Sequence, residues 1–198
     1  MNIKFLTTLI TLSFLTGCAF TVHDLPVNYE YNNAINLPKQ ENLPQVSITE
    51  IEDVRTVANP RMIMNQKNGY GQTTTGGWQA EKDLSLIVKS AIEQGLDKAS
   101  LNTPSERKVQ LSGELVDVSS NIVTGWTKGT VNMKVSVKLT ARDSTSEEIL
   151  WRDTLFGDGI SSKRAAIKPA ILEAFTNSLN DLVDKLFKDE YFQQKVIN

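Results

Sequence analysis

Apolar residues recur along this chain with two different periods. Between residues 84 and 99 they fall at Leu84, Ile87, Val88, Ala91, Ile92, Leu96 and Ala99, a spacing of three and four that lines one face of a helix. From Val131 to Ala141 the pattern changes: Val131, Met133, Val135, Val137, Leu139 and Ala141 alternate with Asn132, Lys134, Ser136, Lys138, Thr140 and Arg142. That period of two predicts a strand with one buried and one wet face. Weaker signals predict a first strand over about 45–55, around Val46, Ile48, Ile51 and Val54, and another through Val109, Leu111, Leu115 and Val118. In the latter the inward period slips by one between Leu115 and Val118, which predicts a bulge. Asp143-Ser144-Thr145-Ser146 has turn chemistry, so Ile149 to Phe156 completes a hairpin. The last element is a helix over about 162–188, with Ile171, Ala174, Phe175, Leu179, Leu182, Val183 and Leu186 on one stripe and Pro169 in its first turns. Residues 61–79 carry Gly69, Gly71, Gly76 and Gly77 and predict a loop or a loose hairpin. The order of elements predicts an α+β fold: a mainly antiparallel four-stranded sheet, β-α-β-β-β-α, with two helices packed on one face.

The N-terminus follows neither period. Lys4 precedes an apolar run from Phe5 to Leu15, the length of a signal-peptide core and too short to span a bilayer, which takes roughly 20 apolar residues. The run ends in Leu15-Thr16-Gly17-Cys18, which resembles the lipobox of bacterial lipoproteins and implies cleavage after Gly17 and acylation of Cys18. Two or three acyl chains there would hold the protein to a membrane durably, whereas one holds only marginally. In enteric-type bacteria Ala19 after the cysteine resembles outer-membrane sorting, with the protein facing the periplasm; the inner membrane and the cell surface remain open. Cys18 is the only cysteine, so the exported chain forms no internal disulfide. The expected organisation is a signal peptide over 1–17, an acylated N-terminus and flexible tether over 18–44, and one α+β domain over 45–198 that folds alone. Pro26, Pro38, Pro44 and five asparagines give the tether little to bury, and Tyr29 and Tyr31 within it either are solvated, the favoured reading, or dock the tether onto the domain.

Charge and chemistry narrow the function by exclusion. The formal net charge of −2 shows no basic excess of the kind that marks nucleic-acid binding. His23 is the only histidine and lies near the N-terminus, so a Ser-His-Asp triad or a histidine zinc site has no material in the folded part. Gly69-Tyr70-Gly71 and Gly76-Gly77 lack the Gly-Lys-Ser/Thr of a phosphate loop. The carboxylate pairs Asp153 with Asp158 and Glu147 with Glu148 sit at strand or turn ends, where solvated acids are ordinary. No enzymatic activity, metal or cofactor is expected.

The chain resembles the YajG-like family of small bacterial lipoproteins. The resemblance covers the lipobox at Cys18 and most of residues 80–197. It rests on Lys82-Asp83-Leu84 at the start of the first helix, the strands Val109 to Val118 and Val131 to Ala141, Phe156-Gly157-Asp158-Gly159, and the helix Asn177 to Leu186. That family has no assigned activity, so the resemblance implies a class and a location but no mechanism.

Two features are candidates for partner contact. Lys134, Lys138 and Arg142 form a row on the wet face of one strand, joined by Arg152 from its hairpin partner. Such a row either receives an acidic protein or glycan or is a solvated face paired with Glu114 and its neighbours. The second is the connection Asn121 to Thr130, whose Trp126 either anchors a partner or tucks against its own sheet. The expected function is a binding or structural accessory of an envelope assembly. A lipid or glycan carrier would instead show an apolar cavity between sheet and helices, and a hydrolase would show a pocket with converging polar groups.

Overall fold

The computed structural model describes residues 21–37, 42–67, 70–124, 129–163 and 167–198. Its elements in chain order are β1 (Val22–Leu25), β2 (Gln45–Asp53), β3 (Met62–Lys67), β4 (Thr73–Ala80), α1 (Leu84–Lys98), β5 (Lys108–Thr124), β6 (Gly129–Asp143), β7 (Ile149–Lys163) and α2 (Ile167–Lys188). A short helix α3 (Glu190–Phe192) and one π-helical turn (Gln193–Ile197) end the chain.

The strands form two sheets. A four-stranded sheet has the order β2-β5-β6-β7, and a three-stranded sheet has the order β1-β4-β3. In the larger sheet β2 and β5 run parallel while β5-β6 and β6-β7 are antiparallel, so β2-α1-β5-β6-β7-α2 reproduces the order expected from the hydrophobic pattern. The slip in β5 is real: the register shifts between Leu115 and Asp117, which keeps Leu115 opposite Val137 and Val118 opposite Val135 on the buried side. On β6 all six alternating apolar residues from Val131 to Ala141 are buried. Both predicted helical stripes are buried as well, from Leu84 to Leu96 on α1 and from Ile171 to Leu186 on α2.

Glycines set how closely these layers approach. A Cβ on Gly157 would come within 2.0 Å of the Ser178 carbonyl oxygen, and one on Gly159 within 1.9 Å of the Ala174 carbonyl oxygen. The α2 backbone thus lies directly on β7, along the small residues Ala170, Ala174 and Ser178, all buried. Gly95 plays the same part between the helices, where an added Cβ would meet the Val183 and Phe187 side chains. The α1 C-terminus closes with Ser100 in the left-handed region at φ 59, its N–H bonded to Asp97 O and the Leu101 N–H bonded to Leu96 O. This is the hydrogen-bond pattern of a Schellman cap, with buried Leu101 providing its apolar contact.

Three expectations need correction. First, the single four-stranded sheet is accompanied by a second sheet, because the glycine-rich segment and the N-terminal strand pair with each other. There β4 is central, with β3 antiparallel on one side and β1 parallel on the other. Second, residues 21–37 are not a free tether. Beyond β1 the chain runs across both helices, with Leu25, Val27, Tyr29 and Tyr31 turned inward, and Tyr31 is 2% exposed. Third, the long hairpins extend further than their apolar cores suggested: β5 reaches Thr124 and β7 reaches Lys163, and α2 starts at Ile167. Most of the Asn121–Thr130 connection is therefore strand, and Phe156-Gly157-Asp158-Gly159 lies within β7.

Candidate interaction surface

The predicted basic row lies on the face of the larger sheet opposite the helices. Lys138 stands directly across from Glu114 on β5, and its ammonium bridges that carboxylate at 3.1 Å. Lys134 stands opposite Asp158 on β7, bridges it at 3.5 Å, and lies 5.9 Å above the centre of the Phe156 ring. Arg142 donates to the Glu147 carbonyl oxygen at 3.2 Å, and Arg152 donates to the Thr140 hydroxyl at 3.1 Å. Every member of the row thus has a partner within its own sheet or turn. Both ion pairs are solvent-exposed, and such pairs typically contribute about 0.2–1 kcal/mol.

Asp158 is also bonded by Lys185 of α2 at 3.1 Å. That ammonium, with Lys134 opposite, holds the Asp158 carboxyl below the usual carboxylate range against the opposing effect of burial. The contact belongs to a wider arrangement along the free edge of β7. Asp181 accepts the Asp158 backbone N–H at 2.8 Å, Asn177 donates to the Ile160 carbonyl at 3.0 Å, and Lys185 donates to the Phe156 carbonyl at 2.6 Å. Side chains of α2 occupy polar groups that another strand would otherwise pair with, which protects the edge from adding a foreign chain.

Cys18 and Trp126, the predicted acylation site and loop anchor, lie outside the described residues. Among the described residues no group of three or more His, Cys, Asp or Glu side chains is placed to hold a metal ion. His23 sits in β1, its ring 6.1 Å from that of Trp78. Between the larger sheet and the helices, where a carrier would show an apolar cavity, the described residues Val135, Val137, Leu139, Phe175, Leu179 and Leu182 are packed and nearly inaccessible. A cleft of about 490 Å³ lies elsewhere, between the β3-β4 hairpin, the 55–59 loop and β5, with Val22, Val57, Met62, Met64 and Val118 among its walls. Its flank is fixed by Arg55, which forms two hydrogen bonds with the Asp53 carboxylate at 2.6 and 2.8 Å and donates to the Pro60 carbonyl. The Arg55 guanidinium in turn holds the Asp53 carboxyl below its ordinary range.

Of the two readings of Tyr29 and Tyr31, the docked one holds, through partners the sequence pattern did not identify. The Tyr31 hydroxyl donates to Asp184 at 2.7 Å, the Tyr29 hydroxyl donates to Asn180 at 2.9 Å, and Gln94 of α1 accepts the Tyr31 N–H at 2.8 Å. Burial pushes the Asp184 carboxyl up, but hydrogen bonds from Tyr31, Asn33 and Lys188 outweigh it and leave the group below the usual range. Burial pushes both tyrosine hydroxyls above their ordinary value, followed in size by the Asp184 charge for Tyr29 and by the hydrogen bond to Asp184 for Tyr31. A signal was present in the alternation of Leu25, Val27, Tyr29 and Tyr31, a period of two among prolines and asparagines.

The fold defines an α+β protein with a four-stranded mixed sheet backed by two helices and a smaller sheet attached beside them. No family model matches the chain, and no curated protein matches it. Among solved structures it is similar to a protein from Xanthomonas campestris described by the family model DUF330. The TM-score is 0.56 at 14% identity, over 88% of this chain and 98% of that one. At that identity the likeness is one of fold. Looser similarities are found to a minor lipoprotein from Acinetobacter baumannii, with TM-score 0.34 at 12% identity over 55% of this chain and 82% of that one, and to a lipoprotein from Neisseria meningitidis, with TM-score 0.27 at 8% identity over 69% and 97%. Neither of these two carries an argument about this chain. No described helix is long and apolar enough to cross a membrane.

Proposed function

We propose that this chain is a lipid-anchored lipoprotein of the bacterial cell envelope, held in a membrane through acylated Cys18 and acting by contact rather than by catalysis. The observation that carries the reading is Leu15-Thr16-Gly17-Cys18 at the end of a short apolar run in a chain with no other cysteine. Within this reading the protein is of the YajG-like kind, faces the periplasm from the outer membrane, and serves as an accessory of an envelope assembly. Non-catalytic action is supported by the state of three acids, of which Asp158 belongs to a carboxylate pair singled out in the sequence. Asp158 is committed to two lysines, Asp53 to Arg55 and Asp184 to the tyrosine clamp, so each is held ionised by a structural partner. Metabolic labelling with a clickable fatty acid tests the anchor: the intact chain should label and Cys18→Ser should not. Equal labelling of the two would refute the anchor.

A second reading is favoured by the cleft beside β3. Its volume of about 490 Å³ falls within the roughly 300–1,000 Å³ of small-molecule sites, and its walls join an apolar strip of Val57, Met62, Met64 and Val118 to the cations Arg55 and Lys67, a mixture that suits an amphipathic ligand such as a fatty acid. A fluorescent fatty acid that binds the intact protein and is lost on Val57→Lys, a substitution at an exposed cleft residue, with unfolding unchanged, would support a carrier, and no binding would dismiss it.

A further inference from the structure

We infer that one end of the molecule, where residues 70–72, the paired ends of β5 and β6 at Val123 and Thr130, and the start of β1 lie, rests against the bilayer that holds the lipid. The inference rests on the acylation of Cys18 and adds an orientation and a contact surface to it. Its basis is the length of chain between the cysteine and the folded protein. β1 begins at Val22, fixed by its pairing with Gly77 and by the hydrogen bond from the Gly77 N–H to the Thr21 carbonyl. From Cys18 to Val22 is four residue steps, and at roughly 3.3–3.6 Å per residue these span at most about 14 Å even when fully extended. A flexible tether of the length expected from the sequence would let the protein turn freely above the membrane. Four residues allow no such freedom.

The strand directions say which end is held down. β1 runs parallel to β4, pairing Val22 with Gly77 and Leu25 with Ala80, so the chain before Val22 approaches from the side of Thr73 and the β3-β4 turn. The end of β3 lies at the same end of the molecule as the end of β5, because Asn65 to Lys67 and Trp78 share a groove with Ser120 to Ile122. The β6-β7 turn lies at the far end of the ladder that pairs Val123 with Thr130 and Val109 with Asp143, and at about 3.4 Å per residue the two ends are roughly 40 Å apart.

The near end also presents apolar side chains to the outside. Tyr70 between β3 and β4 is 92% exposed, Ile160 is 63% exposed and Val123 is 54% exposed, and Val22 lines the mouth of the cleft on the other face of the larger sheet. Ile160 and Val123 flank the same stretch of β6, opposite Asn132 and Thr130 respectively. Side chains of this kind, held close to a bilayer by a short leash, settle into the boundary between headgroups and acyl chains, where apolar burial adds to the hold of the lipid.

The experiment uses the full chain, acylated in cells and reconstituted into phosphatidylethanolamine–phosphatidylglycerol vesicles. Because the lipid occupies the sulfur of Cys18, Tyr70→Cys, Val123→Cys and Ser146→Cys each introduce a lone thiol for an environment-sensitive dye. We expect a blue shift and quenching by shallow lipid-borne quenchers at positions 70 and 123, and neither at position 146 in the β6-β7 turn. If a vesicle-bound parent without a free thiol gives variants that are unquenched at 70 and 123, or equally quenched at 146, the contact surface is wrong and the anchor stands. If the parent chain itself takes the dye at Cys18 and stays in the soluble fraction, the anchor fails and the orientation fails with it.

Discussion

The two sheets of this protein are built from different kinds of sequence. In the larger one each strand carries its own burial pattern, and the apolar row of β6 has no accessible member beyond Met133 at 3%. The smaller sheet is made of Val22–Leu25, Met62–Lys67 and Thr73–Ala80, which are short, polar or glycine-interrupted. It holds together through contacts that each of its strands lacks alone. Gln79 of β4 donates to Asp24 of β1 and accepts from Asn59 of the loop before β3, both at 2.7 Å, so one buried amide ties three segments. Gly77 lets the β3 backbone come so close that an added Cβ would sit 2.2 Å from the Met64 carbonyl oxygen. A strand with a strong period can find its face by itself, whereas a weak strand is placed by its neighbours.

The most severe way to break this comparison is to remove the N-terminal segment. A chain starting at residue 45 loses β1 and uncovers the surface under Leu25, Tyr29 and Tyr31, three side chains that bury about 1.5–3 kcal/mol each. We expect a loss of roughly 5 kcal/mol or more, seen in urea unfolding as a large fall in midpoint. A fragment as stable as the parent would show that the smaller sheet contributes nothing to the larger.

Next in size is the contact of α2 on β7. Gly159→Val places side-chain atoms where the Ala174 carbonyl now lies, and overpacking of this kind costs about 1–3 kcal/mol or more. Thermal unfolding should show a lower midpoint for this variant and for Gly157→Val. Gly129→Ala, where an added Cβ meets nothing within 4 Å, should be close to neutral.

The clamp is smaller again. Tyr31→Phe removes one hydrogen bond to a carboxylate, an effect of about 1.5–3 kcal/mol for a charged partner. Because the folded carboxyl of Asp184 lies below its unfolded value, the stability it contributes is present above about pH 4 and is lost as the pH falls through the folded value. An acid titration of the parent should show this loss, and Asp184→Asn should lessen it while lowering stability at neutral pH. If the two titrations coincide, Asp184 does not carry the clamp.

The smallest effect belongs to the outer face. Lys138→Ala releases Glu114 from an exposed pair, so we expect a change of less than about 1 kcal/mol. Any partner that depends on the basic row should nonetheless be lost in crosslinking from membranes, which separates a contact role from a structural one.

Much of the larger sheet and its helices was legible because period two and period 3.6 follow from a segment packing one face against one surface. Val131 to Ala141, both helical stripes and even the bulge after Leu115 carry that mark in their residues alone. The basic row was legible as a position, but its neutralisation by Glu114 and Asp158 depended on which residues strand pairing set opposite Lys138 and Lys134. The sequence by itself also determined the single cysteine, the short apolar run before it and the lack of a second histidine. Only the tertiary structure decided that the segment after Cys18 folds down, because Tyr31 and the carboxylate that holds it are 153 residues apart. It also decided why glycines stand at 157 and 159, since the helix backbone they admit comes from a later part of the chain. Such contacts leave no period in either segment, for each partner is ordinary until the fold brings the other against it.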